Sequence, residues 1–176
     1  MKKVIWWCFA ILLLGGICFM LLKPNSVKEG VKALEQGEYK KAITLFEEQI
    51  QKNKLLGEAF MGQSIAYYEL EEYESCVACL QKAKEYGEVF EMTTYRFWGN
   101  ALMELERYEE AIKVYCDGMS AGGESAVVLQ EMKFNCVVAY ERLADWKNAK
   151  KCIEEYVALY PEDEKGQREF EFLKTR

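Results

Sequence analysis

Uncharged and amphipathic segments divide the chain into two parts. Residues 4–22 contain no charged side chain, whereas the rest of the chain mixes apolar and charged positions throughout. As a helix rising about 1.5 Å per residue, this first segment spans roughly 28 Å, close to the hydrocarbon thickness of a bilayer. Trp6 and Trp7 lie near its start, where indole rings favour the headgroup region. The pattern predicts a transmembrane anchor at 1–23, with residues 4–22 in the membrane.

The residues that flank the uncharged segment help to distinguish an anchor from a cleavable signal peptide and to predict the orientation in the membrane. A cleavable signal peptide also combines a basic start with an apolar stretch, but no small-x-small cleavage site follows the stretch here. An uncleaved anchor is therefore favoured, which makes the chain a single-pass membrane protein. Lys2 and Lys3 favour a cytoplasmic start and an extracytoplasmic domain, although the lysines at 23–41 weigh against that orientation.

Beyond the uncharged segment, the hydrophobic pattern repeats at intervals of 34, 35 and 38 residues. The repeat is marked by four aromatic residues: Tyr39, Tyr73, Tyr108 and Trp146. Three positions after each of them comes a small residue: Ala42, Cys76, Ala111 and Ala149. Seven positions after each comes a large apolar residue: Phe46, Leu80, Tyr115 and Ile153. Positions that advance together in this way indicate an internal structural repeat.

Each repeat unit predicts two amphipathic helices joined by a turn just before the aromatic residue. In the third unit, for example, Trp98, Leu102 and Leu105 recur at helical spacing. Nine positions before the first three aromatics lies a small residue: Gly30, Ser64 and Gly99. We expect the two helices of a unit to cross there, because a bulky side chain would hold the backbones apart. Val137 takes this place in the fourth unit and predicts a looser crossing.

The pattern resembles the tetratricopeptide repeat (TPR), a 34-residue helix-turn-helix unit with small, aromatic and proline positions. The matching residues are Gly30, Gly37, Tyr39, Ala42 and Phe46 in the first unit, Phe60, Tyr67, Tyr73 and Ala83 in the second, Gly99, Tyr108 and Ala111 in the third, and Tyr140, Trp146, Ala149 and Pro161 in the fourth. The resemblance covers about residues 24–161. It implies an all-α fold, a right-handed α-solenoid of stacked units following the N-terminal transmembrane helix.

The resemblance also implies a division of the chain. Its four units are expected at 24–56, 57–91, 92–125 and 126–161. The third includes an insertion at its end, AlaGlyGlyGluSer, which we expect to lengthen a loop. Residues 162–176 place apolar side chains among charges and predict a capping helix, because the end of a stacked array otherwise exposes its core.

Composition excludes several kinds of chemistry. The 176 residues include no histidine, which excludes Ser-His-Asp and Cys-His catalysis and every His-ligated metal. The net charge of -6 argues against nucleic acid, which requires clustered Lys and Arg. Adjacent acidic pairs such as Glu109 and Glu110 do not converge on a substrate, because neighbours on a helix point in different directions. No enzymatic activity, no metal and no cofactor are predicted.

Cys76 and Cys79 form a CxxC motif, which occurs in redox pairs and in zinc sites. Cys76 occupies the small position after Tyr73, where an unpaired cysteine packs as a small hydrophobe. No second CxxC completes a set of four zinc ligands. Packing is the favoured interpretation, and a thiol redox sensor that uses Cys76 and Cys79 is the alternative.

The TPR resemblance implies a peptide-binding groove lined by the first helices of successive units. The implied groove residues are Val31, Met61, Ile65, Tyr68, Arg96, Asn100, Met103, Phe134, Asn135 and Val138. Their largely apolar character suits an amphipathic helix or an extended peptide with apolar anchors. The competing interpretation is that these residues form the core between units, or that the N-terminal segment or the cap of the same chain covers them.

A narrower hypothesis concerns a carboxylate clamp, in which TPR proteins hold the terminal carboxylate of a peptide with basic and asparagine side chains. Arg96 and Asn100 match the clamp positions of the third unit, and Asn135 matches that of the fourth. Lys165 offers a further cation, but Glu169 stands where the remaining basic residue is expected.

Together these patterns predict a membrane-anchored, non-catalytic TPR scaffold that binds a protein or peptide partner in its groove. An acidic domain of this kind favours a basic partner. The main alternative is a self-assembling structural module, in which stacked arrays or membrane helices pair into homo-oligomers.

Overall fold

The computed structural model describes residues 26–122 and 125–176, and these ranges contain nine α-helices and no strand. The helices are Ser26–Glu35 (α1), Tyr39–Gln51 (α2), Leu56–Glu69 (α3), Tyr73–Glu85 (α4), Met92–Glu104 (α5), Tyr108–Ala121 (α6), Ala126–Arg142 (α7), Trp146–Leu159 (α8) and Glu164–Lys174 (α9). Consecutive helices pack as pairs, α1 on α2 through α7 on α8, and α9 packs on α8. The predicted all-α architecture is confirmed for the described residues.

The predicted localisation needs correction. Within residues 26–122 and 125–176, every helix is too short or too polar to cross a bilayer. This finding contradicts the expectation of a single-pass membrane protein with an extracytoplasmic domain. The predicted anchor at residues 4–22 lies outside the described residues.

One kind of turn joins the two helices of every pair. Two positions before each repeat aromatic, the backbone is left-handed: Gly37 (φ 72°), Glu71 (φ 59°), Glu106 (φ 57°) and Ala144 (φ 53°). The following residue donates its N–H to the carbonyl five positions back, as Glu38 does to Ala33 at 2.8 Å. These are the features of a Schellman C-cap. Because this cap ends the first helix at a fixed place, each repeat aromatic is the first residue of a second helix.

Glycine at a helix crossing makes room for a ring from the facing helix. A Cβ atom on Gly30 would lie 2.7 Å from the Phe46 ring, and one on Gly99 would lie 2.2 Å from the Tyr115 ring. Real Cβ atoms do not approach so closely, so any larger residue would push the helices apart. The small and large positions of the repeat are therefore two sides of one contact.

The second and fourth units distribute volume differently at the same two positions. Ser64 and Val137 replace glycine, while Leu80 and Ile153 replace the ring. All four side chains are fully buried, and Val137 lies in one cluster with Ile153. A larger residue on the first helix is thus accompanied by a smaller one on the second, which keeps the filled volume similar.

The buried side chains form three clusters along the array. One joins α1, α2 and α3, the largest runs from α4 to α7, and the last joins α7, α8 and α9. No single cluster spans the described chain, which is the expected organisation of a repeat protein whose units bury their faces on neighbours. The handedness of the array and the unit boundaries given above stay predictions.

The last helix is fixed to α8 by Tyr156. The Tyr156 hydroxyl donates to Asp163 at 2.6 Å, and Asp163 caps α9 by accepting from Gly166 N at 3.1 Å. A Cβ on Gly166 would lie 2.4 Å from the Tyr156 ring, so α9 approaches α8 closely. Leu173 is fully buried in the third cluster. This helix therefore packs closely on α8, and its role as a cap of the array stays a prediction.

Candidate partner-binding face

The first helices of the second and third units enclose an open cleft, here called the α3–α5 cleft. It has a volume of about 300 Å³ and is lined by Met61, Ile65, Tyr68 and Glu69 of α3 and by Thr93, Thr94, Arg96 and Phe97 of α5. The Tyr68 and Phe97 rings pack edge to face, with centroids 4.8 Å apart. This contact joins the two units and holds the floor of the cleft in place.

Four of the groove residues expected from the sequence meet at this cleft. Met61, Ile65, Tyr68 and Arg96 all line it, and Ile65 is 39 % exposed. Phe97, which the sequence expectation left out, also lines the cleft because its ring packs on Tyr68 of α3. Val31 is also exposed, on the neighbouring first helix α1. The apolar part of the face therefore lies toward the N-terminal units.

A partly buried polar network joins Asn100 of α5 to Tyr115 of α6 and Asn135 of α7. The Tyr115 hydroxyl donates to Asn100 Oδ1 at 2.7 Å, and Asn135 Nδ2 donates to the same oxygen at 3.0 Å and to the Tyr115 oxygen at 3.3 Å. Burial raises the pKa of Tyr115. Because its three members come from α5, α6 and α7, the network fixes the third unit against the fourth.

Glu131 places a carboxylate on this network. Arg96 Nη1 donates to its two oxygens at 3.1 and 3.3 Å, and Asn100 Nδ2 donates to Oε1 at 3.4 Å. Sequence reasoning missed Glu131, although one signal for it existed. Glu131 precedes Asn135 by one helical turn, so both lie on the same face of α7.

The clamp residues expected from the sequence are therefore partly assembled and already engaged. Arg96, Asn100 and Asn135 do come together, but a carboxylate of the same chain binds Arg96 and Asn100. Lys165 lies over the Phe134 ring, with Nζ 4.0 Å from its centroid. Glu169 interacts instead with the half-buried Glu141, and burial together with this hydrogen bond raises the pKa of Glu141 to about 7.

The remaining expected groove residues pack against the core. Phe134 is buried, and its ring lies 5.4 Å from that of Tyr156. Val138 is half-buried against the same cluster, and Met103 is half-buried against the central one. For these three, the described structure fits the competing interpretation of inter-unit packing.

Cys76 and Cys79 have the properties of packing residues. Both are buried, and Cys79 Sγ lies 3.8 Å from Gln63 Oε1. Burial raises the pKa of Cys76 to about 12 and that of Cys79 to about 11, so little thiolate exists at neutral pH. Within residues 26–122 and 125–176, no group of three or more potential ligands is arranged to hold a metal ion.

Comparison with known proteins places the fold. No protein-family model matches the chain, and no curated protein matches it significantly. Among solved structures, a crystal form of MamA AMB-1 superposes with a TM-score of 0.68 at 16% identity, covering 84% of this chain and 78% of that one. MamA MSR-1 gives 0.66 at 15% identity, covering 85% and 83% of the two chains.

A thermophilic TPR protein from Thermus thermophilus is also similar, with a TM-score of 0.52 at 19% identity over 85% of this chain and 79% of that one. Identities this low are informative about architecture alone. The sequence resemblance and the superpositions agree on that level of description: the chain has a TPR-like helical-repeat fold.

Proposed function

We propose that this chain is a non-catalytic scaffold that binds a protein partner through the α3–α5 cleft. The observation that carries the proposal is the cleft itself, where apolar side chains from two successive units line an open depression of about 300 Å³. Covering apolar surface stabilises a complex by about 25 cal/mol per Å² before the costs of association. An apolar side chain of the partner inserted between Ile65 and Phe97 would stabilise the complex by covering this apolar surface.

The chemistry of the partner follows from the lining and the overall charge. The cleft is lined by apolar side chains together with the exposed Glu69 and with Arg96, whose charge is paired with Glu131 at 3.1 Å, and the chain carries a net charge of -6. We propose a basic segment, helical or extended, that presents one or two large apolar side chains. Lys or Arg beside those anchors would meet Glu69 and the acidic field of the chain.

The test compares two variants that introduce the same charge at exposed apolar positions. Ile65→Asp places a carboxylate in the cleft, whereas Val127→Asp places one at the 74 % exposed Val127 in the first turn of α7. Partners are captured from lysate with each variant and identified by mass spectrometry, and circular dichroism confirms that both variants fold. We expect Ile65→Asp to lose partners that Val127→Asp retains. Identical partner sets for both variants would refute the proposal.

A carboxylate clamp receives less support than the apolar cleft, because Glu131 already occupies the donors of Arg96 and Asn100. If the clamp operates, an incoming carboxylate has to displace Glu131. A captured peptide would then bind more tightly to a Glu131→Gln variant, and amidation of its C-terminus would abolish that gain. Equal affinities for the free and the amidated peptide would exclude the clamp.

A second candidate function is self-assembly, and a different set of exposed apolar residues favours it. Four connections join successive helix pairs or join α8 to α9, namely α2–α3, α4–α5, α6–α7 and α8–α9. Exposed apolar residues lie at or beside each of them: Leu55, Tyr86, Val89, Val127 and Leu159. Exposed apolar residues arranged this way suit contact between copies of the chain. Sedimentation analysis would test it. An oligomer that Val127→Asp dissociates and Ile65→Asp leaves intact favours assembly, and a monomer at all concentrations excludes it.

A further inference from the structure

Three cysteines from three successive helices converge on one cavity, here called the thiol cavity. Cys116 of α6, Cys136 of α7 and Cys152 of α8 line it together with Met119, and its volume is about 160 Å³. Lys133 and Glu155 supply the charged part of its lining. The cavity shares no lining residue with the α3–α5 cleft, so the two are separate sites.

The three thiols differ in their access to solvent. Cys116 is exposed, Cys152 is half-buried and Cys136 is buried. Cys116 and Cys136 line this cavity from the adjacent helices α6 and α7, and the Cys136 thiol lies close enough to Cys116 to interact with it, so an exposed sulfur neighbours a buried one. Cys76 and Cys79 offer no such combination because both are buried. A reagent from solution can therefore reach the Cys116–Cys136 pair at one end.

We propose that Cys116 and Cys136 form a modification site for small-molecule disulfides, which convert the pair into a disulfide between the third and fourth units. Cys116 is the thiol that reacts first, and Cys136 is the thiol that resolves the adduct. The class of reactant is a low-molecular-weight disulfide, for which oxidised glutathione is the probe.

The two exchange steps balance without any further reactant. In the first, the Cys116 thiolate attacks one sulfur of the reagent; the reagent S–S bond breaks, and one thiol leaves with the proton that Cys116 gave up. In the second, Cys136 loses its proton to solvent and its sulfur attacks Cys116 Sγ. The mixed S–S bond breaks, the Cys116–Cys136 bond forms, and the second thiol leaves protonated. Two protein thiols are oxidised by two electrons, and one disulfide reagent is reduced to two thiols.

The surroundings of Cys136 make the second step the slower one. Burial raises the pKa of the Cys136 thiol, while the nearby Lys133 opposes that shift. The glutathione adduct of Cys116 should therefore accumulate before the crosslink replaces it. The finished crosslink would fix α6 to α7 and close a loop that contains the insertion at 121–125.

The experiment exposes the reduced full-length chain to oxidised glutathione and follows it by intact-mass and peptide-mapping mass spectrometry. We expect an early adduct of one glutathione on Cys116, followed by its loss and the appearance of a Cys116–Cys136 crosslinked peptide. Cys136→Ser should stop at the adduct, and Cys116→Ser should form neither product in the cavity. Cys152→Ser is the matched control, because it removes a thiol of the same cavity and should leave both steps unchanged.

Three outcomes would overturn the proposal. A wild-type adduct on Cys116 that never resolves removes the role of Cys136. A crosslink from Cys116 to Cys152 would show that Cys152, and not Cys136, is the resolving thiol. Modification that begins at Cys76 or Cys79 contradicts the argument from access. Because each variant carries a cysteine-to-serine change only, thermal unfolding of the reduced proteins shows separately whether each one folds.

Discussion

The turns inside the helix pairs lead to a prediction in which one kind of substitution has opposite effects at two places. Ala144 has a left-handed backbone with φ 53° in the turn between α7 and α8, and its side chain is exposed. Ala78 is also exposed, but it lies in the middle of α4. We expect Ala144→Gly to stabilise the fold and Ala78→Gly to destabilise it.

The magnitudes follow from the backbone conformations. A left-handed conformation costs an L-residue about 1–2 kcal/mol, and glycine escapes that cost. Glycine also loses more chain entropy on folding, which costs roughly 0.5–1 kcal/mol at either position. The difference leaves Ala144→Gly more stable than wild type by about 0.5–1 kcal/mol. Ala78→Gly has only the entropic cost and should be less stable by a similar amount.

Urea unfolding followed by far-ultraviolet circular dichroism measures both effects, with unchanged m-values as the condition for comparing the variants. Glu106→Gly repeats the test in the third unit, where φ is 57°. Gly37→Ala reverses it in the first unit and should destabilise the protein by about 0.5–1 kcal/mol. If Ala144→Gly and Ala78→Gly lowered the free energy of unfolding equally, the left-handed turn would not be the origin of the effect and the reasoning would fail.

Three further predictions concern packing, pH and the polar network. Gly30→Ser should destabilise the protein by about 1–3 kcal/mol, because its Cβ would meet the Phe46 ring at 2.7 Å. Combining Gly30→Ser with Phe46→Leu reproduces the Ser64 and Leu80 arrangement of the second unit. In the Phe46→Leu background, the destabilisation caused by Gly30→Ser should be smaller by more than about 1 kcal/mol, and a double-mutant cycle without coupling would contradict this. The pKa of Glu141 is raised to about 7 from an ordinary 4.5, so the fold favours its protonated form and loses stability as pH rises from about 4.5 through 7. The free energy of unfolding of Glu141→Gln should therefore equal that of wild type near pH 5 and exceed it by roughly 1 kcal/mol at pH 8, a value reduced by the partial exposure of Glu141. If urea unfolding showed the same difference at both pH values, the titration of Glu141 would not be its origin. Tyr115→Phe removes the donor at 2.7 Å from Asn100 and should lower the free energy of unfolding by about 1–2 kcal/mol, with Tyr108→Phe as a control for loss of a hydroxyl outside the network.

Much of the architecture could be predicted from the sequence because the determinants of each helix pair are local. Tyr39, Tyr73, Tyr108 and Trp146 mark the starts of second helices since the turn before them spans only a few residues. The pairing of Gly30 with Phe46 could also be anticipated, because both lie within one repeat unit and advance together along the chain. Local periodicity and steric fit carry this information without any reference to the rest of the fold.

The candidate sites depend on distances between units, which no local pattern contains. Arg96 and Glu131 are 35 positions apart and meet only because α5 and α7 lie side by side. The convergence of Cys116, Cys136 and Cys152 likewise depends on how α6, α7 and α8 pack on one another. Phe134 and Val138 were expected in the groove because family register alone assigned them, whereas the tight approach of α8 and α9 turns them into packing residues.

The Schellman turns have a consequence for how the chain acquires its structure during synthesis. The capping hydrogen bonds of each turn join residues only three or five positions apart, so a hairpin can close without waiting for distant segments to arrive. Contacts of short sequence separation are made quickly. Each pair can then serve as a template on which the next one packs as it leaves the ribosome, and α9 emerges after the α8 surface on which it packs.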